Sequence, residues 1–273
     1  MTAPAPRTTR VGAVSIAYYV RGEGPPVLCI MGLGGRAADW NEAGFLAPLA
    51  ERFEVVTFDN RGTGASDKPT GPYRLEVMAD EAVGVLDALG RERAHVVGLS
   101  MGGMIAQLVA IRHPARVARL VLVATNAGGA TVVAGTREAM AVLTADRTRP
   151  RAEALRAAFA AIAAPGFAER DPAALDAMVA LALEQPTSEI AFARQMAAIF
   201  ASDRSAAVAD IAAPTLVVHG CDDPLIPVAN GRALARAIPG ARLVELPGCG
   251  HLPMWERPAR LAEVVGEFLA APG

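Results

Sequence analysis

Short unbroken apolar runs alternate along this chain with longer stretches in which apolar residues recur every three or four positions. The runs at 27–31, 53–58, 95–97, 120–123 and 215–218, and a weaker one at 242–246, predict strands covered on both faces, as in a parallel sheet. Residues 11–20 mix β-branched and aromatic side chains and predict one or two further strands. Helical stripes fill the gaps. Residues 73–89 carry Leu75, Met78, Ala82, Val85 and Leu86 and end at Gly90, while 101–113 is stopped by Pro114. Two more stripes occupy 233–238 and 261–269. Strand and helix patterns in alternation predict βαβ units, right-handed crossovers and a mostly parallel sheet flanked by helices.

One stretch interrupts the alternation. Residues 127–209 are rich in Ala, with prolines at 150, 165, 172 and 186, and hold helical patterns without a strand. The expected organisation is therefore a core formed by 1–126 and 210–273 with a helical insertion at 127–209. Ligands of an open α/β sheet bind beyond the carboxyl ends of its strands, so the insertion reads as a cap, or lid, over a site there.

The strongest chemical signal is Gly98-Leu99-Ser100-Met101-Gly102-Gly103, which follows a predicted strand and opens a predicted helix. A sharp strand-to-helix turn strains its middle residue and needs small neighbours, which the glycines supply. The turn lifts the Ser100 hydroxyl above the sheet and aims the Met101 N–H at the same spot, at the positive end of the helix. A serine needs a base to take its proton. Of the four histidines, His95, His113 and His219 fall on strands or a helix end and read as structural. His251 lies in a glycine-flanked loop after the last predicted strand, on the same rim as Ser100. A carboxylate that fixes the His tautomer should stand in the loop after 215–220, where Asp222 and Asp223 are both candidates. A second oxyanion donor is expected from the glycine-rich loop 31–35, and the Leu33 N–H is assigned to it.

These pieces, in the order Ser, Asp, His, resemble the α/β-hydrolase family over nearly the whole chain. The resemblance rests on Met31-Gly32, Asp59-Asn60-Arg61-Gly62-Thr63-Gly64-Ala65-Ser66, Gly98 to Gly103, Gly220-Cys221-Asp222-Asp223-Pro224 and Gly250-His251. It implies Asp223 as the acid, three residues after the glycine that closes its strand. It also implies that the Arg61-Gly62 loop braces the nucleophile turn. Met31 stands where the family usually has histidine, and a serine nucleophile separates this chain from the epoxide-hydrolase and haloalkane-dehalogenase branches. The segment from Gly71-Pro72-Tyr73 to Gly103 is similar to 3-oxoadipate enol-lactonases, and the Met31-Gly32 start to some polyketide methylesterases.

Composition narrows the field further. Of 273 residues, 52% are hydrophobic and 20% charged, enough for a substantial core, which excludes a disordered chain. A net charge of −2 gives no general attraction to nucleic acid or anionic lipid. No apolar run approaches the ~18 residues of a membrane span, and the first ten residues lack the apolar core of a signal peptide. Three cysteines are too few for a disulfide framework, so a cytoplasmic protein is expected, with Cys221 and Cys249 unpaired. No spacing fits zinc, a phosphate loop or a dinucleotide fingerprint, so neither metal nor cofactor is expected. Arg147, Arg149 and Arg151 read as a solvated cluster. Phe159, Phe167, Phe192, Phe200, Trp40 and Trp255 are either core or pocket wall.

The sequence thus predicts a serine hydrolase of a small, largely apolar carboxylic ester or lactone, monomeric or homodimeric. Two alternatives use the same residues: a cofactor-free perhydrolase or haloperoxidase, and a C–C bond hydrolase. A third is a non-enzymatic receptor for a small ligand.

Overall fold

The computed structural model describes residues 5–42, 44–144 and 150–271. Arg147 and Arg149 of the basic cluster lie outside them. Eight strands, β1 (Arg7–Val11), β2 (Val14–Arg21), β3 (Pro26–Ile30), β4 (Glu54–Phe58), β5 (Ala94–Leu99), β6 (Val117–Val123), β7 (Thr215–Gly220) and β8 (Arg242–Leu246), form one sheet in the order β1-β2-β4-β3-β5-β6-β7-β8. All neighbours from β4 to β8 pair in parallel, whereas β1 and β2 form an antiparallel hairpin laid against β4. The parallel strands expected from unbroken apolar runs are observed; β3 to β7 are buried on both faces, whereas β8, expected only weakly, is largely half-buried. Side chains alternate accordingly: Leu28 and Ile30 of β3 join one core cluster, Val27 and Cys29 the other. Each such fully buried aliphatic side chain contributes about 1.5–3 kcal/mol relative to exposure.

The described residues form twelve α-helices. In chain order they are α1 (Ala37–Glu42), α2 (Leu46–Ala50), α3 (Leu75–Ala88), α4 (Met101–Arg112), α5 (Arg137–Ala141), α6 (Arg151–Ile162), α7 (Phe167–Arg170), α8 (Pro172–Glu184), α9 (Glu189–Phe200), α10 (Val228–Ala237), α11 (Pro253–Glu256) and α12 (Pro258–Ala270). Helices α3, α4 and α10 pack on one face; α2 and α12 pack on the other. Met101 to Ala110 of α4 are all buried, the amide of Gln107 among them, so over these residues the helix has no solvated side.

Between β6 and β7 the described residues contain five α-helices, α5 to α9, and no strand. Local chemistry starts them: the Thr136 hydroxyl accepts from Ala139 N, Asp171 from Ala174 N ahead of Pro172, and Ser188 from Ala191 N. The aromatic residues of this segment divide. Phe167 is core, Phe159 packs against it, and Phe200 is 69% exposed, so it serves neither core nor pocket. Phe192 lies over the loop after β3.

The chain leaves β3 for β4 on one side and returns to β5 on the other, so the carboxyl ends of β3 and β5 face each other across the switch point, with Ile30 paired to Gly98. A crevice is expected at that place in an open α/β sheet.

Candidate active site

Ser100 sits at the exit of β5 with φ 53° and ψ −118°, a left-handed conformation that a non-glycine residue holds only where its surroundings enforce it. The enforcement is visible. Ser100 N donates to Val123 O at 2.9 Å, and Ser100 O accepts from Thr125 Oγ1 at 2.8 Å and Met104 N at 3.1 Å. Close approach fixes the neighbours: a Cβ on Gly98 would overlap Gly102 O, and one on Gly102 would overlap Ile30 O. Gly102→Ala is therefore expected to cost at least about 1–3 kcal/mol as overpacking and to lower Tm by several degrees. A melting curve coincident with that of the native protein would contradict this.

The leading amides of α4, beginning with Met101 N–H, lack intrahelical acceptors as at any helix N-terminus, and no side chain caps them. The loop after β3 comes in from the other side. At Gly32 it runs so close that a Cβ would stand 3.3 Å from Ser100 Cβ and 3.9 Å from Oγ. Leu33 follows, half-buried. Met31, in place of histidine, is buried beneath this loop, and a Cβ on Gly35 would collide with its side chain.

The loops after β7 and β8 complete the group. Ser100 Oγ lies 3.0 Å from His251 Nε2, and His251 Nδ1 lies 2.8 Å from Asp223 Oδ2. A carboxylate only accepts, so Nδ1 carries the proton and Nε2 offers its lone pair to the serine hydroxyl. Asp223 Oδ1 accepts from Leu225 N at 2.9 Å and Ile226 N at 2.8 Å. Of the two neighbouring acids the structure brings Asp223 to the histidine, while Asp222 is exposed. Burial, the largest influence on Asp223, pushes its carboxyl up. The charge of His251 and hydrogen bonds from His219 and His251 outweigh it and hold the group down at about 2. Ser100, Asp223 and His251, drawn from three loops, thus meet at one edge of the sheet, with Met101 next in sequence to the serine and Leu33 next to Gly32, which runs beside it.

Several partners were not legible beforehand. His219, expected to be merely structural, donates from Nε2 to Ile226 O at 2.7 Å and stands 3.4 Å from Asp223 Oδ2, backing the carboxylate from behind. Its spacing, four before Asp223, was the available signal. The buried Glu256 accepts from Gly250 N and Ala164 N, both at 2.8 Å, and from Leu252 N at 3.0 Å, pinning the peptides on either side of His251. His251 N itself donates to Ile162 O at the end of α6. The Asp59–Ser66 loop braces a different neighbour from the one the resemblance implies. Asn60 Nδ2 donates to Met31 O at 3.0 Å and Asp59 Oδ1 accepts from Ala37 N at 2.8 Å, so these bonds fasten the loop after β3. Arg61 pairs with the buried Glu81 and lies 5.5 Å over the Tyr73 ring.

All three cysteines are free thiols; Cys221 Sγ faces Glu245. Among the described residues, no group of three His, Cys, Asp or Glu side chains has the arrangement of a metal site, and no helix is long and apolar enough to cross a membrane.

The sequence profile of the alpha/beta hydrolase fold matches residues 25–258. This chain belongs to that family. It is 33% identical over 291 residues to the 2-hydroxymuconate semialdehyde hydrolase of Pseudomonas sp. strain CF600, covering 99% of this chain and 97% of that one. Among solved structures, the enol-lactonase of Burkholderia xenovorans LB400 superimposes with a TM-score of 0.84 at 30% identity, over 97% of this chain and all of that one. Est816, described as an N-acyl homoserine lactone degrading enzyme, superimposes with a TM-score of 0.78 at 30% identity, over 95% and 98% of the two chains. Within the alpha/beta hydrolase fold, the serine lies after β5, the aspartate after β7 and the histidine after β8.

Proposed function

We propose that this alpha/beta hydrolase cleaves a carboxylic ester or lactone of a small, largely apolar substrate through an acyl-enzyme on Ser100. One observation carries the reading: the unbroken line from Ser100 Oγ through His251 to Asp223, with links of 3.0 and 2.8 Å, at a strained strand-to-helix turn. His251 Nε2 takes the Ser100 proton as Oγ attacks the carbonyl carbon. The N–H groups of Leu33 and Met101 hold the oxygen that becomes negative, each donor contributing about 2.7–4 kcal/mol to the transition state. His251 then protonates the departing alcohol, or, in a lactone, the ring oxygen that stays attached. Water, deprotonated by the same nitrogen, releases the acid and restores Ser100. The α5–α9 segment acts as a cap, and Phe192 over the loop after β3 supports an apolar wall.

The test is a substrate panel run beside a fluorophosphonate probe, with the labelled peptide located by mass spectrometry. The expected result is turnover of p-nitrophenyl esters or lactones and a single label on Ser100. No turnover of any ester or lactone, with no label on Ser100, would reject the reading. A second reading, cleavage of a C–C bond beside a ketone, is favoured by the relative named as a semialdehyde hydrolase, because a semialdehyde has no ester link. A vinylogous diketone in the same panel separates the two.

A further inference from the structure

Two side chains of the helical insertion grip one residue of the loop after β3. The N–H of Gly34 donates to Gln195 Oε1 at 2.8 Å, and its carbonyl accepts from Thr187 Oγ1 at 2.9 Å. Gly34 lies at φ +70°, in the left-handed region that glycine enters freely, and glycine is the residue with the most alternatives to leave for. Gln195 has no exposed surface, and its Nε2 donates to Arg61 O at 2.9 Å. One buried amide therefore joins α9 to the loops after β3 and β4. Phe192, on the same helix, closes over the glycine, whose Cβ would stand 2.9 Å from the ring. Further along the loop, Arg36 donates to Leu181 O of α8 at 2.6 Å.

We infer that Gln195 is a positioning residue for the oxyanion hole, acting through Gly34 on the Leu33 N–H. This rests on the reading of Leu33 and Met101 as the oxyanion donors. The physical step is short. Gln195 fixes the peptide plane between Leu33 and Gly34, so only the two backbone torsions of Leu33 separate that fixed plane from the plane bearing the Leu33 N–H. Preorganised donors act because they need not move when charge develops, and a donor free to swing loses that advantage. The insertion thereby sets the chemistry as well as covering it. The amide suits the task because it accepts from one loop and donates to the other, which neither a carboxylate nor an aliphatic side chain of the same size does.

The experiment compares Gln195→Met, close in shape and unable to make either bond, with Thr187→Val, which releases the same glycine from its other side. For a p-nitrophenyl ester, Gln195→Met is expected to lower kcat by about 10- to 100-fold with KM within about twofold, a fraction of what losing a whole donor costs. Affinity for an alkyl boronic acid, which mimics the tetrahedral oxyanion, should fall by a similar factor. Amide hydrogen exchange over residues 31–36 should quicken. Thr187→Val should move each readout in the same direction by less. Gln195→Glu keeps an acceptor for Gly34 N–H and should recover part of the kcat lost in Gln195→Met. Unchanged kcat and boronate affinity, or a rise in KM at constant kcat, would overturn the role. If the wild-type protein turned over no ester, the serine-hydrolase reading would fall on its own. Unchanged exchange at 31–36 in Gln195→Met would separately overturn the clamp.

Discussion

Ser100→Ala is expected to reduce kcat/KM toward an activated ester by about six orders of magnitude, to the residue of rate that binding and the oxyanion donors supply without a nucleophile. The size follows from the geometry. Without Oγ, His251 Nε2 has no proton to take at 3.0 Å, and water would have to enter a position the turn does not hold for it. The fold should be untouched, since the bonds that maintain the turn use Ser100 N and O. Tm should therefore stay within about a degree of native, and fluorophosphonate labelling should vanish. Turnover within a factor of about ten of wild type, measured after removing trace contaminants by a second column, would sink the assignment.

Asp223→Asn is the second large effect, with an expected loss of about 10⁴ in kcat. The substitution keeps size and changes what the group can do. The asparagine amide can donate to His251 Nδ1, favouring the tautomer with its proton on Nε2, where it faces Ser100 and cannot accept. The pH profile of the native protein bears on the same point. Asp223 is held at about 2, so it stays ionised through the working range and contributes no acid limb to activity. For stability the sign is also fixed: a carboxyl lowered in the folded state stabilises the protein above its ordinary value of ~3.9 and loses that contribution as the pH falls toward about 2. An additional limb near pH 4 that disappears in Asp223→Asn would contradict this assignment.

How much of this was legible in the sequence depended on the kind of force involved. The parallel strands β3, β5, β6 and β7 announce themselves because burial on both faces demands an unbroken apolar run. The turn at Ser100 announces itself because its glycines answer a steric requirement. The edges were harder. Strand β1, Arg7–Val11, carries Arg and Thr on the sheet's exposed border and has no apolar alternation to read. Helices α1 and α2 are six and five residues long, too short to show a stripe. Helix α10 begins at Val228, ahead of the expected 233, because Asn230 and Gly231 interrupt the apolar period.

Within the site, Ser100 and His251 were legible through their chemistry and chain order, whereas Asp223 was singled out from Asp222 only by the family resemblance. Leu33 and Met101 were expected only as backbone positions beside glycines. Gln195 and Glu256 were not legible at all. Each binds a main-chain amide far away in sequence, 161 residues from Gln195 to Gly34 and 92 from Glu256 to Ala164, and even the nearby bonds from Gly250 and Leu252 to Glu256 involve peptide groups, which leave no imprint on the identity of the partner.

The attachment of the α5–α9 segment to both the histidine loop and the loop after β3 also governs how this scaffold can be recombined. If that segment is the cap proposed above, exchanging it with a sister protein's would alter the substrate's walls and the fasteners of both loops in a single cut. A graft must bring an acceptor for Gly34 N–H, a carbonyl for His251 N and an amide for Glu256, or it delivers a new cavity above a loosened engine.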